Sequence, residues 1–283
     1  MGAPSSAEPL PAATRIGRAA LRVTDREEQT AFYRQVVGLD VLSEGDRQAT
    51  LGVDGTALLV LLEDESAPTR HRTETGLYHN AFRVPSRGAL GDALTRVRSH
   101  WQLGGATDHR VSEALYLTDP EGNGVEIYRD FPRKEWPETD DGRVAMGNDR
   151  LDLDSLAADA AGESSAPPGT DLGHVHLEVS SLDAFRDWYV ETLAFEVRAT
   201  VPRATFVAAG GYHHHIGANT WHHRTAPAQS RGLSWFEIVV PTAAALDGIR
   251  ERLSGRDTPV RGTDRGFAAS DPDDIEVRFR AEP

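Results

Sequence analysis

Three consecutive histidines, His213, His214 and His215, follow a Gly-Gly pair inside an apolar run, and a second pair stands upstream at His174 and His176. Imidazole is the commonest metal ligand and the side chain best suited to move protons near neutral pH. Five of them on segments with strand-like patterning therefore point to a metal centre, to acid/base catalysis, or to both. The chain has no cysteine, which removes thiolate metal sites, thiol nucleophiles and disulfides. Any metal here would be held by imidazole and carboxylate. Upstream, the run LYHNAFRV carries His79 and VEIYRD carries Glu126, with His109 and Tyr116 between them.

Positioning these groups falls to a repeated architecture. Ile16-Gly17 matches Leu172-Gly173, Phe32-Tyr33 matches Trp188-Tyr189, and Gly76-Leu77 matches Gly232-Leu233, all at an offset of 156 residues. Asp119-Pro120 and Asp271-Pro272 match after a small gap. Each half divides again into strand, helix and three short strands, so the chain reads as four βαβββ units. The expected organisation is a flexible tail over 1–15, a first module over 16–131, an acidic linker over 132–171 and a second module over 172–281. One short helix is expected in the linker near Asp152 to Ala160.

Composition narrows the partners. Acidic residues number 44 against 30 basic, Lys134 is the one lysine, and the net charge is −14. A nucleic-acid partner would need the opposite sign. The acidic, arginine-based balance is similar to that of proteins from high-salt cytoplasms. No apolar run is long enough to span a bilayer, and the first fifteen residues lack the pattern of a signal peptide. The expectation is a cytoplasmic protein that binds no membrane.

Four βαβββ units in this order resemble the vicinal oxygen chelate superfamily, which comprises glyoxalases, bleomycin-resistance proteins and extradiol dioxygenases. The resemblance runs from residue 16 to 281 and implies an α+β fold in which paired units curl into two barrels. In that family the ligands of one divalent metal project inward from the first and last strands of a unit. Strand alternation then predicts which side chains face the pocket. Val175, Leu177 and Val179 form the helix side of their strand, which turns His174 and His176 inward. By the same parity His79, Glu126 and Tyr128 face inward, as do His213 and His215, while His214 faces away. The first unit offers Arg18, and the fourth Trp235 and Glu276, a poor ligand set. The second and third units together offer His79, Glu126 and His174, so these two are expected to form the active barrel.

The segment DHRVSEALYLTDPEGNGVEIY also resembles the extradiol dioxygenase stretch that runs from a DHxVS element through a tyrosine to the ligand glutamate. The matching residues are Asp108, His109, Val111, Ser112, Tyr116, Pro120, Gly122 and Glu126, with Glu113-Ala114 as a two-residue insertion. Within the family the chain is most similar to two-module bacterial catechol-2,3-dioxygenases. The resemblance implies Fe(II) or Mn(II) at His79, Glu126 and His174, with His215 as acid/base and Tyr116 and His109 as further catalytic residues. It places His176 and His213 beside the substrate, and it implies a catechol-like diol and dioxygen as reactants. Two alternatives stay open: a glyoxalase-type metal-dependent lyase or isomerase, and a metal-free protein that binds a small molecule. Assembly into a homo-oligomer is left open as well.

Overall fold

The computed structural model of the chain describes residues 8–282. The first unit comprises β1 (Arg15–Val23), α1 (Arg26–Phe32), β2 (Asp40–Gly45), β3 (Gln48–Val53) and β4 (Thr56–Glu63). The second has β5 (Gly76–Arg83), α2 (Arg87–His100), β6 (Gly105–Asp108), β7 (Ser112–Thr118) and β8 (Gly124–Asp130). Between the modules lie β9 (Asp149–Arg150) and α3 (Leu153–Ala158). The third unit is β10 (Asp171–Glu178), α4 (Leu182–Arg186), β11 (Glu196–Val201), β12 (Ala204–Ala208) and β13 (Ile216–Asn219). The fourth is β14 (Gly232–Val240), α5 (Ala243–Ser254), β15 (Arg261–Thr263), β16 (Gly266–Ser270) and β17 (Glu276–Ala281).

Each helix starts where the sequence offers an oxygen to the free N–H groups of its first turn. The Asp25, Ser86, Ser181 and Thr242 side chains accept from Glu28, Ala89, Ala184 and Ala245, three residues on. The helix carries the chain across, so that the first and last strands of every unit lie side by side and parallel. The units then join through their first strands, running antiparallel. β10 pairs with β5 and β1 pairs with β14. One sheet of nine strands therefore holds the second and third units, and one of eight holds the first and fourth.

One apolar cluster takes the helix-facing residues of both sheets, among them Leu21, Phe82, Val175 and Phe236. The opposite, concave faces keep small clusters of their own, around Ala81, Ala114 and Tyr128 on one sheet and Ala20, Val60 and Trp235 on the other. The same clamps recur in both halves. Buried Arg96 donates to the Val37 carbonyl at 3.1 Å, and its equivalent Arg252 donates to Leu193 at 3.1 Å, each closing the end of a helix from the preceding unit. Tyr33 donates to Asp119 and Tyr189 to Asp271. These two aspartates, matching positions of the repeat, also gather the backbone N–H groups of their own turns. Burial raises both carboxyls, Asp271 to about 7.

The stretch between modules is more than a spacer. α3 forms under an Asp152 cap, and β9 adds an edge strand to the nine-stranded sheet beside β6. Of the tail expected over 1–15, residues 1–7 lie outside the described residues. Beyond them Leu10 and Thr14 are buried, and Leu10 donates to the Ala194 carbonyl. That stretch is anchored because its apolar side chain finds the shared core. No helix among the described residues is long and apolar enough to cross a membrane.

Candidate metal centre and active site

His79 on β5, His174 on β10 and Glu126 on β8 project from three neighbouring strands of the nine-stranded sheet. The His79 Nε2 and His174 Nε2 atoms lie 3.3 Å apart, and Glu126 Oε2 lies 2.9 Å from the first and 3.2 Å from the second. All three residues are buried, and their donor atoms lie within 4.8 Å of one another. The geometry follows from register: His174 and Glu126 both stand opposite Ala81, whose methyl leaves the space between them clear. Burial lowers the His174 imidazole to about 4, keeping it neutral with a lone pair to give. The two histidines hold the Glu126 carboxyl well below its usual range against the opposing effect of burial.

This donor set fits a divalent ion. Two imidazole nitrogens and one carboxylate oxygen converge on one side, the arrangement used by non-haem Fe(II) oxygenases. Without an ion the cluster would be two histidines sharing one carboxylate oxygen. His174 Nδ1 is buried and has no protein partner, so this ligand lacks the supporting hydrogen bond that usually orients a metal-bound histidine. Gly173 belongs to the same construction, since a Cβ there would fall 1.9 Å from the Tyr128 hydroxyl.

Above the triad opens a cavity of about 420 Å³, lined by His79, Glu126, His109, Tyr116, His176 and His214 among others. The Tyr116 hydroxyl donates to His109 Nε2 at 2.7 Å, and His109 Nδ1 in turn donates to the Gly147 carbonyl at 2.7 Å. Desolvation and the nearby Glu126 carboxylate push the Tyr116 phenol well above its usual range, so it stays protonated. His176 is oriented by Asn219, whose Nδ2 lies 3.1 Å from its Nε2 while Asn219 Oδ1 accepts from the Trp221 N–H. Burial keeps His176 neutral.

The triple histidine departs from the expected parity. His214 lines the cavity, with its ring centroid 4.1 Å from that of His174, whereas His215 does not reach it. His215 stacks on Tyr212 at 4.9 Å and accepts the Ala209 N–H at its Nδ1. Burial drops it to about 3. The reason is local backbone. Gly210 and Gly211 adopt φ of +60° and +70°, so the chain turns after β12, and alternation resumes only at Ile216, where β13 begins. A Gly-Gly pair is a turn signal, and it could have warned against applying strand parity to the next four residues.

His213 lies behind His214 and connects it to a carboxylate overlooked in the sequence. Its Nε2 is 2.9 Å from Asp130 Oδ1 and its Nδ1 is 2.7 Å from His214 Nδ1. Asp130 also accepts from Arg83 at 3.1 Å and from the Tyr212 hydroxyl at 2.9 Å; against the effect of burial, His213 first and then these two donors hold it below its usual pKa. In the proton order that makes His214 an acceptor toward the cavity, the Asp130 carboxylate takes the His213 Nε2 proton, His213 Nδ1 accepts, and His214 Nδ1 donates. That leaves the His214 Nε2 lone pair free, on the residue that lines the cavity.

The sequence model of the Glyoxalase/Bleomycin resistance protein/Dioxygenase superfamily matches residues 15–127 and 171–279. The chain is 39% identical over 268 residues to a catechol-2,3-dioxygenase of Bacillus subtilis (strain 168), covering 92% of this chain and 94% of that one. A biphenyl-2,3-diol 1,2-dioxygenase 3 of Rhodococcus globerulus is 29% identical over 120 residues, covering 41% of this chain and 63% of that one. Among solved structures, glyoxalase I from Zea mays superposes with a TM-score of 0.59 at 14% identity, over 94% of this chain and 92% of that one. At that identity the likeness concerns fold alone.

Proposed function

The chain belongs to the Glyoxalase/Bleomycin resistance protein/Dioxygenase superfamily and is a homologue of a dioxygenase within it; from that premise we propose that it is an extradiol dioxygenase. It opens the ring of a catechol-like diol with dioxygen at a non-haem divalent metal, Fe(II) or Mn(II), held by His79, Glu126 and His174. The observation that carries this reading is the convergence of those three donors, with His79 and Glu126 lining the cavity, beside a neutral histidine that is not itself part of the triad. Both oxygen atoms end in the ring-opened product, so the reaction needs no external reductant.

A bound divalent ion supplies Lewis-acid chemistry toward the two diol oxygens and a route for electrons to dioxygen. The protein supplies proton handling and orientation. His214 Nε2 takes a proton from one diol hydroxyl, a task for which burial has kept the ring unprotonated. Asp130 and His213 hold His214 in the tautomer that can accept it. The Tyr116 hydroxyl, anchored by His109, sets the position of an oxygen on the substrate or product. His176 offers its remaining ring N–H from the opposite side. His215, expected from the sequence to be the acid/base, is here a packing residue under the turn.

The test is anaerobic loading with Fe(II), removal of free metal, and addition of catechol and oxygen. The expected result is a yellow ring-fission product with one dioxygen consumed per catechol. Bound metal with oxygen uptake at baseline would contradict the reading. Turnover of a thiol–aldehyde adduct by the same preparation would favour the lyase alternative instead.

A further inference from the structure

We infer that the pocket selects an uncharged catechol carrying an apolar substituent, and that the stretch between the modules measures that substituent through Met146. The inference rests on the dioxygenase reading for the identity of the diol end. The remainder of the pocket argues it independently. A cavity of roughly 150 Å³ is enough for benzene. The 420 Å³ here therefore leaves space beyond a single ring.

That space has a definite chemistry. Met146, Phe206 and Trp221 line it and pack in one apolar cluster, beside His176 and His214, and Val201, 38% exposed, extends this apolar lining. Among the described residues no lysine or arginine lines the cavity, and the one carboxylate there is Glu126 of the triad. A substrate carboxylate would be desolvated here with no guanidinium or ammonium group to pair it, which is costly, whereas an alkyl or aryl group would be covered favourably. The net charge of −14 adds a field that disfavours anions during approach.

Met146 comes from outside the four repeated units. It is placed by its neighbour Gly147, whose N–H donates to the His109 carbonyl and whose own carbonyl accepts from His109 Nδ1. Val144 is pinned to β11 through the Arg198 carbonyl. The stretch is thus tied at two points on either side of Met146. The wall it builds is fixed relative to the residues that hold the diol.

The experiment compares 4-propylcatechol with 3,4-dihydroxyphenylacetate, a pair matched in size and differing in charge. Equilibrium binding is read without oxygen by quenching of tryptophan fluorescence, and kcat/KM by oxygen uptake. The expected preference for the propyl compound is about a hundredfold in both, equivalent to roughly 3 kcal/mol for burying a carboxylate with no cationic side chain beside it. Met146→Arg should shrink that ratio at least tenfold, and Met146→Ala should erase discrimination between propyl and methyl substituents. Equal binding and turnover of the two wild-type substrates would overturn the inference while leaving the dioxygenase reading intact. Preferential binding of the propyl compound without turnover of either would overturn the dioxygenase reading and leave the pocket's preference standing. Unchanged selectivity in both Met146 variants would remove the linker from the account.

Discussion

The two sheets are built from the same unit by the same pairing, yet one has a metal-binding interior and the other a filled one. The positions that carry His174, His79 and Glu126 on the nine-stranded sheet carry Arg18, Trp235 and Arg278 on the eight-stranded sheet. There the indole lies between two guanidinium groups, with Arg278 3.9 Å and Arg18 5.3 Å from its ring. Buried Glu237 pairs with Arg280 at 2.8 Å and Arg18 at 3.5 Å, and Glu276 with Arg278 and Arg261. Arg278 and not Glu276 stands in register with Glu126, so even the lone carboxylate expected there is displaced. What duplication kept is the docking machinery: the Arg96 and Arg252 clamps and the Tyr33–Asp119 and Tyr189–Asp271 ties. What diverged is the concave face. Fold and chemistry occupy opposite faces of the same strands, so each could change without the other.

The largest test of that contrast is a matched pair of substitutions. Glu126→Ala should lose bound metal and drop turnover by roughly a thousandfold, because removing a ligand forfeits several kcal/mol of charge stabilisation. Arg278→Ala, its counterpart, should leave metal content and kcat within about twofold and lower stability by about 1 kcal/mol through the lost cation–π contact. Metal analysis and thermal unfolding separate the two.

Next in size is the proton-moving residue. His214→Gln should keep its metal and lose roughly 10²–10⁴ in kcat, the usual worth of a general base. His215→Gln should cost less than about tenfold in kcat and act mainly on stability. The reverse ranking would restore the parity read from the sequence. Asp130→Asn comes below it, with roughly a 10- to 100-fold fall in kcat and little change in KM or metal content, as expected for a residue that orients another. Its effect should be strongly non-additive with His214→Gln and additive with Arg278→Ala.

The smallest effect is on pH stability of the metal-free protein. His174 and His215 titrate near 4 and 3 when folded and near 6.5 when unfolded, and His176 and His214 shift in the same direction. The unfolded chain therefore binds more protons between those values, and stability is full above about pH 6.5 and falls as the pH drops through the folded pKa values. Glu126, lowered by its histidines, acts in the same sense. Asp271, in the turn between β16 and β17 of the other sheet, is raised to about 7 and acts in the opposite one, its contribution being present at low pH and lost as the pH rises through 7. Hydrogen exchange at pH 5 should accordingly open β5 and β10 before β1 and β14. Simultaneous opening would mean that the histidine-rich face does not set the acid limit.

The four-unit architecture could be read from residues because its determinants are local and repeat: alternation on the strands, helical spacing between them, and paired motifs at a near-constant offset. Where a segment is a true strand, parity also placed the side chains, as at His79, Glu126 and His174. It failed over Tyr212 to His215 because two glycines at positive φ turn the backbone, so that alternation has no meaning there. Asp130 was passed over because one aspartate at a strand end carries no signal until the fold brings His213 against it. Met146 and Phe206 were invisible for a related reason. A wall assembled from a linker and a distant strand has no sequence period.

The most direct measurement is an anaerobic Fe(II) titration of the purified chain, followed by metal analysis after desalting. One tightly bound ion per chain is expected, abolished by Glu126→Ala and retained by Arg278→Ala. Two ions per chain, or one that survives Glu126→Ala with undiminished affinity, would contradict the assignment of the metal to the nine-stranded sheet.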